Sequence, residues 1–186
     1  MGSEVYDFKS CDKLGLIGES VAELYYKDLP NVNDVINVRN DIGYRKKDID
    51  LVCDTDKGSV YVEVKTDSYA TGNMFYEEIS NVDTNEKGCM ERTEANYLFY
   101  YFINPVLRSA YIFDVDELRI WFHIHKNEYK PKRVFNKGYI SIGYALPLMT
   151  LVAELKNLTV VKLDSISNIE LFEEQAKGYW MKHIKA

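Results

Sequence analysis

Two short segments that alternate apolar and charged residues most constrain what this chain can fold into. They are KKDIDLV at 46–52 and VYVEVKTD at 60–67, and the turn-rich sequence DTDKGS lies between them. Side chains point alternately to the two faces of a β-strand, so residues two apart share a face. In the second segment, one face therefore carries Tyr61, Glu63 and Lys65, and the other face carries a row of valines. The pattern predicts two strands joined as a hairpin, each with one apolar and one ionised face.

The first segment follows the same rule of alternation. Asp48 and Asp50 are predicted to share its ionised face. Its apolar face is then predicted to carry Ile49, Leu51 and Cys53.

The register of the hairpin decides which charged residues meet. If residues 55–58 form the loop, Asp50 lies opposite Glu63 and Asp48 lies opposite Lys65. Directly opposed Cβ atoms are about 5 Å apart, and a one-residue slip is disfavoured because it inverts the apolar pattern. Opposed carboxylates repel each other unless a cation lies between them. Mg²⁺ suits such a place, because it takes oxygen ligands from few carboxylates and completes its shell with water or phosphate.

A simpler interpretation fits the same spacing. Solvent-facing strands often alternate valine with charged residues, and an opposed Asp48 and Lys65 can form a surface ion pair of little energetic consequence. Short motifs also match by chance. The spacing alone leaves both interpretations open.

The order D-I-D-L-V followed by V-E-V-K resembles the PD-(D/E)xK nuclease superfamily. Lys47 stands where the family motif has proline, which is a common departure. The resemblance implies an α/β fold with a restriction-endonuclease-like core, in which a central mixed β-sheet is flanked by helices. It also implies that the strand aspartate Asp50 and the Glu63 and Lys65 of the E-x-K motif form the active site.

A second part of the resemblance lies upstream. IGESVAELYYKDL is similar to the first helix of the resolvase-like branch, where G-E-x-x-A supplies another acidic residue, and Glu19 and Ala22 match it. Together with VRND, the stretch from Leu14 to Thr66 is similar to small bacterial nuclease-like proteins and, more distantly, to archaeal Holliday-junction resolvases. Two further segments resemble an element of phage-encoded relatives, TGNMFYEE at 71–78 and KGCMERTEAN at 87–96.

The function that the resemblance implies is metal-dependent hydrolysis of DNA phosphodiester bonds in phage or bacterial DNA processing, repair or recombination. Asp50, Glu63 and the backbone carbonyl of Val64 would hold Mg²⁺, for which Mn²⁺ can substitute. Lys65 would orient the attacking water or stabilise developing negative charge. Glu19 would contribute to a second metal. The resemblance also raises a homodimer as an option, because symmetric incision needs two active sites and one chain carries one.

Three other acidic residues belong to the expected surroundings of this site. Asp48 is expected to support the metal ligands without binding the metal itself. Glu77 or Glu78 could lie near the substrate entrance, although the sequence does not determine their orientation.

The charge pattern permits a nucleic-acid enzyme and argues against a protein that coats nucleic acid. The formal net charge is −6, but attraction to phosphate depends on where the basic residues lie. Arg45, Lys46 and Lys47 directly precede the predicted metal strand. A second basic stretch follows downstream, and it suits a solvated loop as well as a phosphate-binding one; its members are Lys126, Lys130, Lys132, Arg133 and Lys137.

Periodicity predicts the remaining elements of one domain over 1–186. Helices are expected at 14–28, from Asp114 or Asp116 to about 126, from Pro147 to Lys156, and at about 168–184, where a C-terminal helix would pack on the domain. Strands are expected near 34–40, 48–54, 59–66, 97–103, 109–113 and 138–145. The aromatic run NYLFYYF is expected to be a buried strand and not a base-stacking platform.

Other features set the expected compartment and the competing functions. There is no N-terminal apolar secretion segment and no apolar run near 18 residues, so we expect a soluble, cytoplasmic protein without a membrane partner. The resemblance implies that the cell is bacterial or a phage-infected host. His123 and His125 do not face each other on a helix, which disfavours zinc. Two alternatives to the nuclease remain: an inactive nuclease-fold module that binds nucleic acid or a protein, and an interaction protein without nucleic acid.

Overall fold

The computed structural model describes residues 8–69, 71–103 and 109–170. These residues form an α/β fold with two β-sheets. In chain order the elements are α1 (Phe8–Lys27), β1 (Val32–Asn37), α2 (Ile42–Arg45), β2 (Leu51–Thr55), β3 (Gly58–Asp67), β4 (Asn73–Asn81), β5 (Glu86–Lys87), α3 (Cys89–Arg92), β6 (Tyr97–Phe102), β7 (Ser109–Asp114), α4 (Val115–His125), β8 (Lys132–Asn136), β9 (Tyr139–Pro147), α5 (Leu148–Glu154) and β10 (Thr159–Lys162).

The central sheet is mixed, as predicted. It has six strands in the order β1-β2-β3-β6-β7-β10. Only β3 and β6 are parallel, and the chain between them forms β4, β5 and α3. Parallel neighbours need such a crossover connection, whereas a short hairpin joins the antiparallel strands β2 and β3. The second sheet is antiparallel, with four strands in the order β5-β4-β9-β8.

The two faces of the central sheet are covered by different layers. Helix α1 packs on one face, where its side chains form a core with those of β2 and β3. The other face packs against the second sheet and against helices α4 and α5. The flanking helices of the prediction are therefore present, but a second sheet shares one of the layers.

Strand β6 is buried from both sides, which explains its aromatic sequence. Phe99 and Tyr101 belong to the core under α1, whereas Leu98, Tyr100 and Phe102 belong to the core under the second sheet. All five side chains are buried. A central strand covered on both faces has no polar face, and the prediction of a buried strand is confirmed.

Helix α1 approaches strand β3 closely at Gly18. A Cβ atom built on this glycine would lie 1.8 Å from Thr66 Oγ1. The absence of a side chain at Gly18 therefore permits the contact between helix and strand. Because Glu19 follows directly, the same contact determines how near its carboxylate comes to the end of β3.

Most predicted elements are present with shifted ends. The helix predicted at 14–28 already begins at Phe8. Helix α4 follows Asp114, whose side chain accepts a hydrogen bond from the Glu117 backbone N–H at 2.9 Å, as expected of an N-cap. The helix predicted from Pro147 to Lys156 is the shorter α5, preceded by Pro147. Strands β4, β5, β8 and β10 and the short helices α2 and α3 were not predicted. The helix at about 168–184 lies almost entirely outside the described residues.

The predicted face of Ile49 is wrong. Leu51 and Cys53 point into the core under α1, but Ile49 packs with Val52 on the opposite side of the sheet. The backbone explains the difference, because Asp48 has φ of 48° and β2 begins only at Leu51. Strict alternation holds only inside a regular strand, and Ile49 lies before it.

No described helix has the length and apolar character needed to cross a bilayer. Cys53 and Cys89 are buried free thiols.

Candidate functional site

Strand β3 extends beyond its neighbour β2, and this difference in length creates a cleft. Only Gly58–Val62 of β3 pair with β2, whereas Val62–Asp67 pair with β6 on the other side. Residues 63–67 therefore leave one edge of β3 open, and a cleft of about 1290 Å³ lies there. Its walls come from α1, from the segment before β2, and from strands β4, β8 and β9.

Asp50 lies directly before the first residue of β2, and its side chain continues the pairing along β3. Asp50 Oδ2 accepts a hydrogen bond from the Val64 backbone N–H at 2.8 Å, and the Asp50 N–H donates to the Val62 carbonyl at 2.9 Å. The N–H and C=O of one strand residue point to the same side. The Val64 carbonyl therefore points to the side that carries the Asp50 carboxylate.

The predicted register is confirmed within the hairpin and changes before it. Leu51 pairs with Val62, which places Asp50 at the level of Glu63. Asp48 does not meet Lys65, because the left-handed backbone at Asp48 turns its side chain away. Asp48 instead accepts two hydrogen bonds from the Arg92 guanidinium, at 2.7 and 2.9 Å.

Glu63 and Lys65 form an ion pair on the face of β3 opposite α1. Lys65 Nζ lies 2.6 Å from Glu63 Oε1. The Glu63 side chain is 3% exposed, whereas Lys65 is 37% exposed. The pKa of Glu63 is raised to about 8, chiefly by burial and also by the negative charge of Asp50, against the opposing effect of Lys65. Without a metal ion, the Glu63 carboxyl group therefore holds its proton near neutral pH.

The donor set of this cluster fits Mg²⁺. Asp50 and Glu63 supply carboxylate oxygens and Val64 supplies a carbonyl oxygen, which are the hard ligands that Mg²⁺ prefers. Among the described residues, no group of three or more His, Cys, Asp or Glu side chains is arranged to hold a metal. A site made here would therefore leave coordination positions for water or phosphate. The Lys65 ammonium contacts the Glu63 carboxyl group, which holds a proton near neutral pH, so a metal ion must displace both Lys65 and the proton.

Glu19 reaches the same cleft from α1. Its Oε1 accepts a hydrogen bond from Arg39 at 2.6 Å and its Oε2 accepts one from Asn37 at 3.2 Å. Burial raises the pKa of Glu19, and the negative charge of Asp50 adds to that effect. Glu19 is therefore near the predicted metal carboxylates, but it is held by a cation and an amide. Its role in binding a second metal stays a prediction.

The two glutamates expected near the entrance separate. Glu77 lines the cleft, and its carboxylate accepts a hydrogen bond from the Cys89 backbone N–H at 3.2 Å. Glu78 forms a short ion pair with Lys126 on the second sheet's side and does not line the cleft. The structure thus leaves Glu77 as the entrance candidate.

The histidine pair of α4 has separate partners. His123 contacts Glu91 and His125 contacts Glu128. Neither histidine lines the cleft. Their divergence follows from positions two apart on a helix.

Basic residues from both predicted stretches line this one cleft. Arg45 comes from the segment before β2, and Lys132 and Arg133 come from the edge strand β8. All three are exposed. Within the part of the chain that the structure describes, none of them forms an ion pair. Lys46, Lys47 and Lys130 do not line the cleft.

Asp67 is a cleft residue that the sequence argument missed. It follows Glu63 and Lys65 at the same two-residue spacing on β3, which is the signal that could have identified it. Its Oδ2 accepts a hydrogen bond from the Tyr100 hydroxyl at 2.7 Å, and that hydroxyl accepts one from the Phe75 N–H at 3.0 Å. Burial raises the pKa of Asp67. This chain of bonds ties the central sheet to β4 at the floor of the cleft.

Comparison with protein-family models, curated proteins and solved structures gives no match for this chain.

Proposed function

We propose that this protein is a metal-dependent nuclease that hydrolyses DNA phosphodiester bonds, with a restriction-endonuclease-like core of the PD-(D/E)xK type. The observation that carries the proposal is the convergence of Asp50, Glu63 and Lys65 at the open edge of β3. These are the residue types that such hydrolysis needs, in a cleft that a polymer can enter. A setting in bacterial or phage DNA processing, repair or recombination is part of the proposal.

Each residue has a distinct task in this mechanism. Asp50, Glu63 and the Val64 carbonyl would hold Mg²⁺ or Mn²⁺. The bound ion would supply a water of lowered pKa and neutralise charge on the phosphate. Lys65 is partly exposed to the cleft, and its ammonium would donate to the phosphate oxygen on which negative charge develops.

The exposed cations of the cleft support a nucleic-acid substrate. Arg45 lies on one wall, and Lys132 and Arg133 lie on the strand β8 that forms part of another. Phosphate contacts from such residues provide the affinity that does not depend on sequence. Their location accounts for nucleic-acid binding by a chain whose net charge is −6.

One observation favours a second candidate, an inactive nuclease-fold module that binds nucleic acid or a protein partner. The Glu63 carboxylate is paired with Lys65 and the Glu19 carboxylate with Arg39, both at 2.6 Å. A site whose acids are already neutralised can be stable without a metal. The two candidates differ in whether Mg²⁺ displaces Lys65 from Glu63.

Cleavage of a panel of linear, nicked, flapped and four-way DNAs in Mg²⁺ or Mn²⁺ tests the proposal. We expect the unmodified protein to cut at least one of them, and Asp50→Ala or Glu63→Ala to abolish cutting. Asp83→Asn is the control, because it removes an exposed carboxylate that does not line the cleft. Unchanged cutting by the Asp50→Ala, Glu63→Ala double variant would exclude both residues.

Calorimetric titration with Mg²⁺ separates the candidates. Binding of the ion together with DNA cleavage supports the nuclease. DNA binding by the unmodified protein without any cleavage of the panel would instead favour the inactive module.

A further inference from the structure

A second, smaller pocket adjoins the cleft. It has a volume of about 340 Å³, and the rings of Tyr44 and Tyr61 stand on its walls with centroids 6.2 Å apart and planes tilted by 39°. Ile49 is 3% exposed and lines both this pocket and the cleft. The two cavities therefore meet at the residue next to Asp50.

Hydrogen bonds of the backbone and of the Asn96 side chain hold the pocket walls in place. The Tyr61 N–H donates to Asn96 Oδ1 at 2.9 Å, and the Asn96 N–H donates to the Tyr61 carbonyl at 2.8 Å. The Tyr44 carbonyl accepts a hydrogen bond from the Ile49 N–H at 3.2 Å. Both tyrosines thus belong to ordered segments, and the pocket exists before a ligand arrives.

The pocket combines aromatic walls with a polar rim. Lys47 Nζ donates to Glu94 Oε2 at 2.7 Å, and the two side chains are 49% and 59% exposed. A nucleobase has the matching chemistry, because its faces stack on aromatic rings and its edge carries hydrogen-bond donors and acceptors. The volume lies at the small end of the range for ligand pockets, which suits one planar base.

The pocket lies next to the place expected for the reacting phosphate. Tyr61 and Glu63 lie on the same face of β3, two residues and thus about 6.6 Å apart along the strand. A DNA strand whose phosphate lies at Asp50 and Glu63 can therefore place a neighbouring base against Tyr61. In an intact duplex that base is paired and stacked, so it must be unpaired or extruded to enter.

We propose that this pocket, which we call the tyrosine pocket (Tyr44, Lys47, Ile49, Tyr61 and Glu94), binds an unpaired nucleobase next to the scissile phosphate. The substrate class is then DNA with a single-stranded nucleotide at the cut, such as a flap, a junction or a free strand. The inference rests on the proposed function in that nucleic acid is the ligand.

Single-stranded oligonucleotides that carry 2-aminopurine at successive positions test the tyrosine pocket without metal and without cleavage. Stacking on a tyrosine changes the fluorescence of this base. We expect one position to respond on binding, and Tyr44→Leu or Tyr61→Leu to remove the response and weaken binding roughly tenfold, as loss of one base–aromatic stack does. Tyr139→Leu is the matched control, since Tyr139 is 42% exposed and lines neither cavity.

An abasic nucleotide at the responding position tests the same contact from the ligand side with the unmodified protein. It should weaken binding by a similar factor, and it should add no further loss in the Tyr61→Leu variant. Equal losses for Tyr139→Leu and Tyr61→Leu, or an abasic strand bound as tightly as the intact one, would overturn the assignment of the pocket. Failure of the single-stranded oligonucleotides to bind, with duplex or branched DNA still bound, would overturn the pocket alone, and so would tight binding that is indifferent to both tyrosines. Failure of every one of these DNAs to bind would overturn the proposed DNA function as well.

Discussion

Replacing Glu63 by glutamine should make the protein less sensitive to alkaline pH. Glu63 is buried, and its pKa is raised from 4.5 to about 8 in the folded state. In the unfolded chain it returns to the ordinary range of a glutamate. The folded protein therefore holds a proton that the unfolded chain has lost, over the interval from about pH 4.5 to about pH 8.

The sign and size of the effect follow from proton linkage. Stability falls with rising pH wherever the folded state binds more protons, by about 1.4 kcal/mol per pH unit for one proton. The contribution of Glu63 is complete below about pH 4.5 and is lost as the pH rises to about 8. Its full size is on the order of 5 kcal/mol at about 1.4 kcal/mol for each pKa unit. Glutamine cannot ionise, so Glu63→Gln removes this slope.

Urea unfolding of the metal-free protein at intervals from pH 5 to pH 9 measures the effect. The free energy of unfolding of the unmodified protein should decline relative to Glu63→Gln by about 1 kcal/mol per pH unit up to pH 8 and then run parallel to it. Asp83→Asn is the control for removal of a carboxylate elsewhere. Parallel curves for Glu63→Gln and the unmodified protein across the whole range would refute the claim that burial raises the pKa of Glu63.

Three further outcomes are expected. Lys65→Ala should retain or strengthen Mg²⁺ affinity by calorimetry, because no ammonium competes for Glu63. Its single-turnover cleavage rate should nevertheless fall at least a hundredfold, and cleavage at the wild-type rate would exclude Lys65 from the reaction. Arg45→Ala combined with Arg133→Ala should weaken DNA binding and flatten its salt dependence; an unaltered slope of log affinity against log salt would make both ordinary surface charges. Gly18→Ala should lower the free energy of unfolding by about 1–3 kcal/mol in urea titration, because its Cβ would lie 1.8 Å from a Thr66 side-chain atom; unchanged stability would show that α1 moves away without cost.

The sequence predicted local structure well where one residue's environment depends on its near neighbours. The valines of β3 alternate with Tyr61, Glu63 and Lys65, and this period together with a short turn was enough to predict the strand and its pairing with β2. Helix α4 was predicted from an N-cap at Asp114 or Asp116 for the same reason, and the cap is Asp114. Strand β4 was missed because its sequence NMFYEEISN has no clean alternation, and its pairing with β9 is long-range.

Some errors came from treating alternation as continuous. Asp48 and Ile49 were assigned to a regular strand, but one residue with positive φ redirects both side chains. Asp48 consequently pairs with Arg92, which lies 44 positions further along the chain. No local pattern contains that contact.

By itself, the sequence determined the identity and spacing of Asp50, Glu63 and Lys65 and the strands that carry them, because alternation and turns act over a few residues. Only the tertiary structure decided that β3 extends beyond β2 and leaves an open edge, since strand length depends on partners that are distant along the chain. It also decided that Arg45 and Arg133 line one cleft, and that Glu63 is buried in contact with Lys65. Burial and long-range proximity are properties of the packed chain, and they determine the charge of the candidate site.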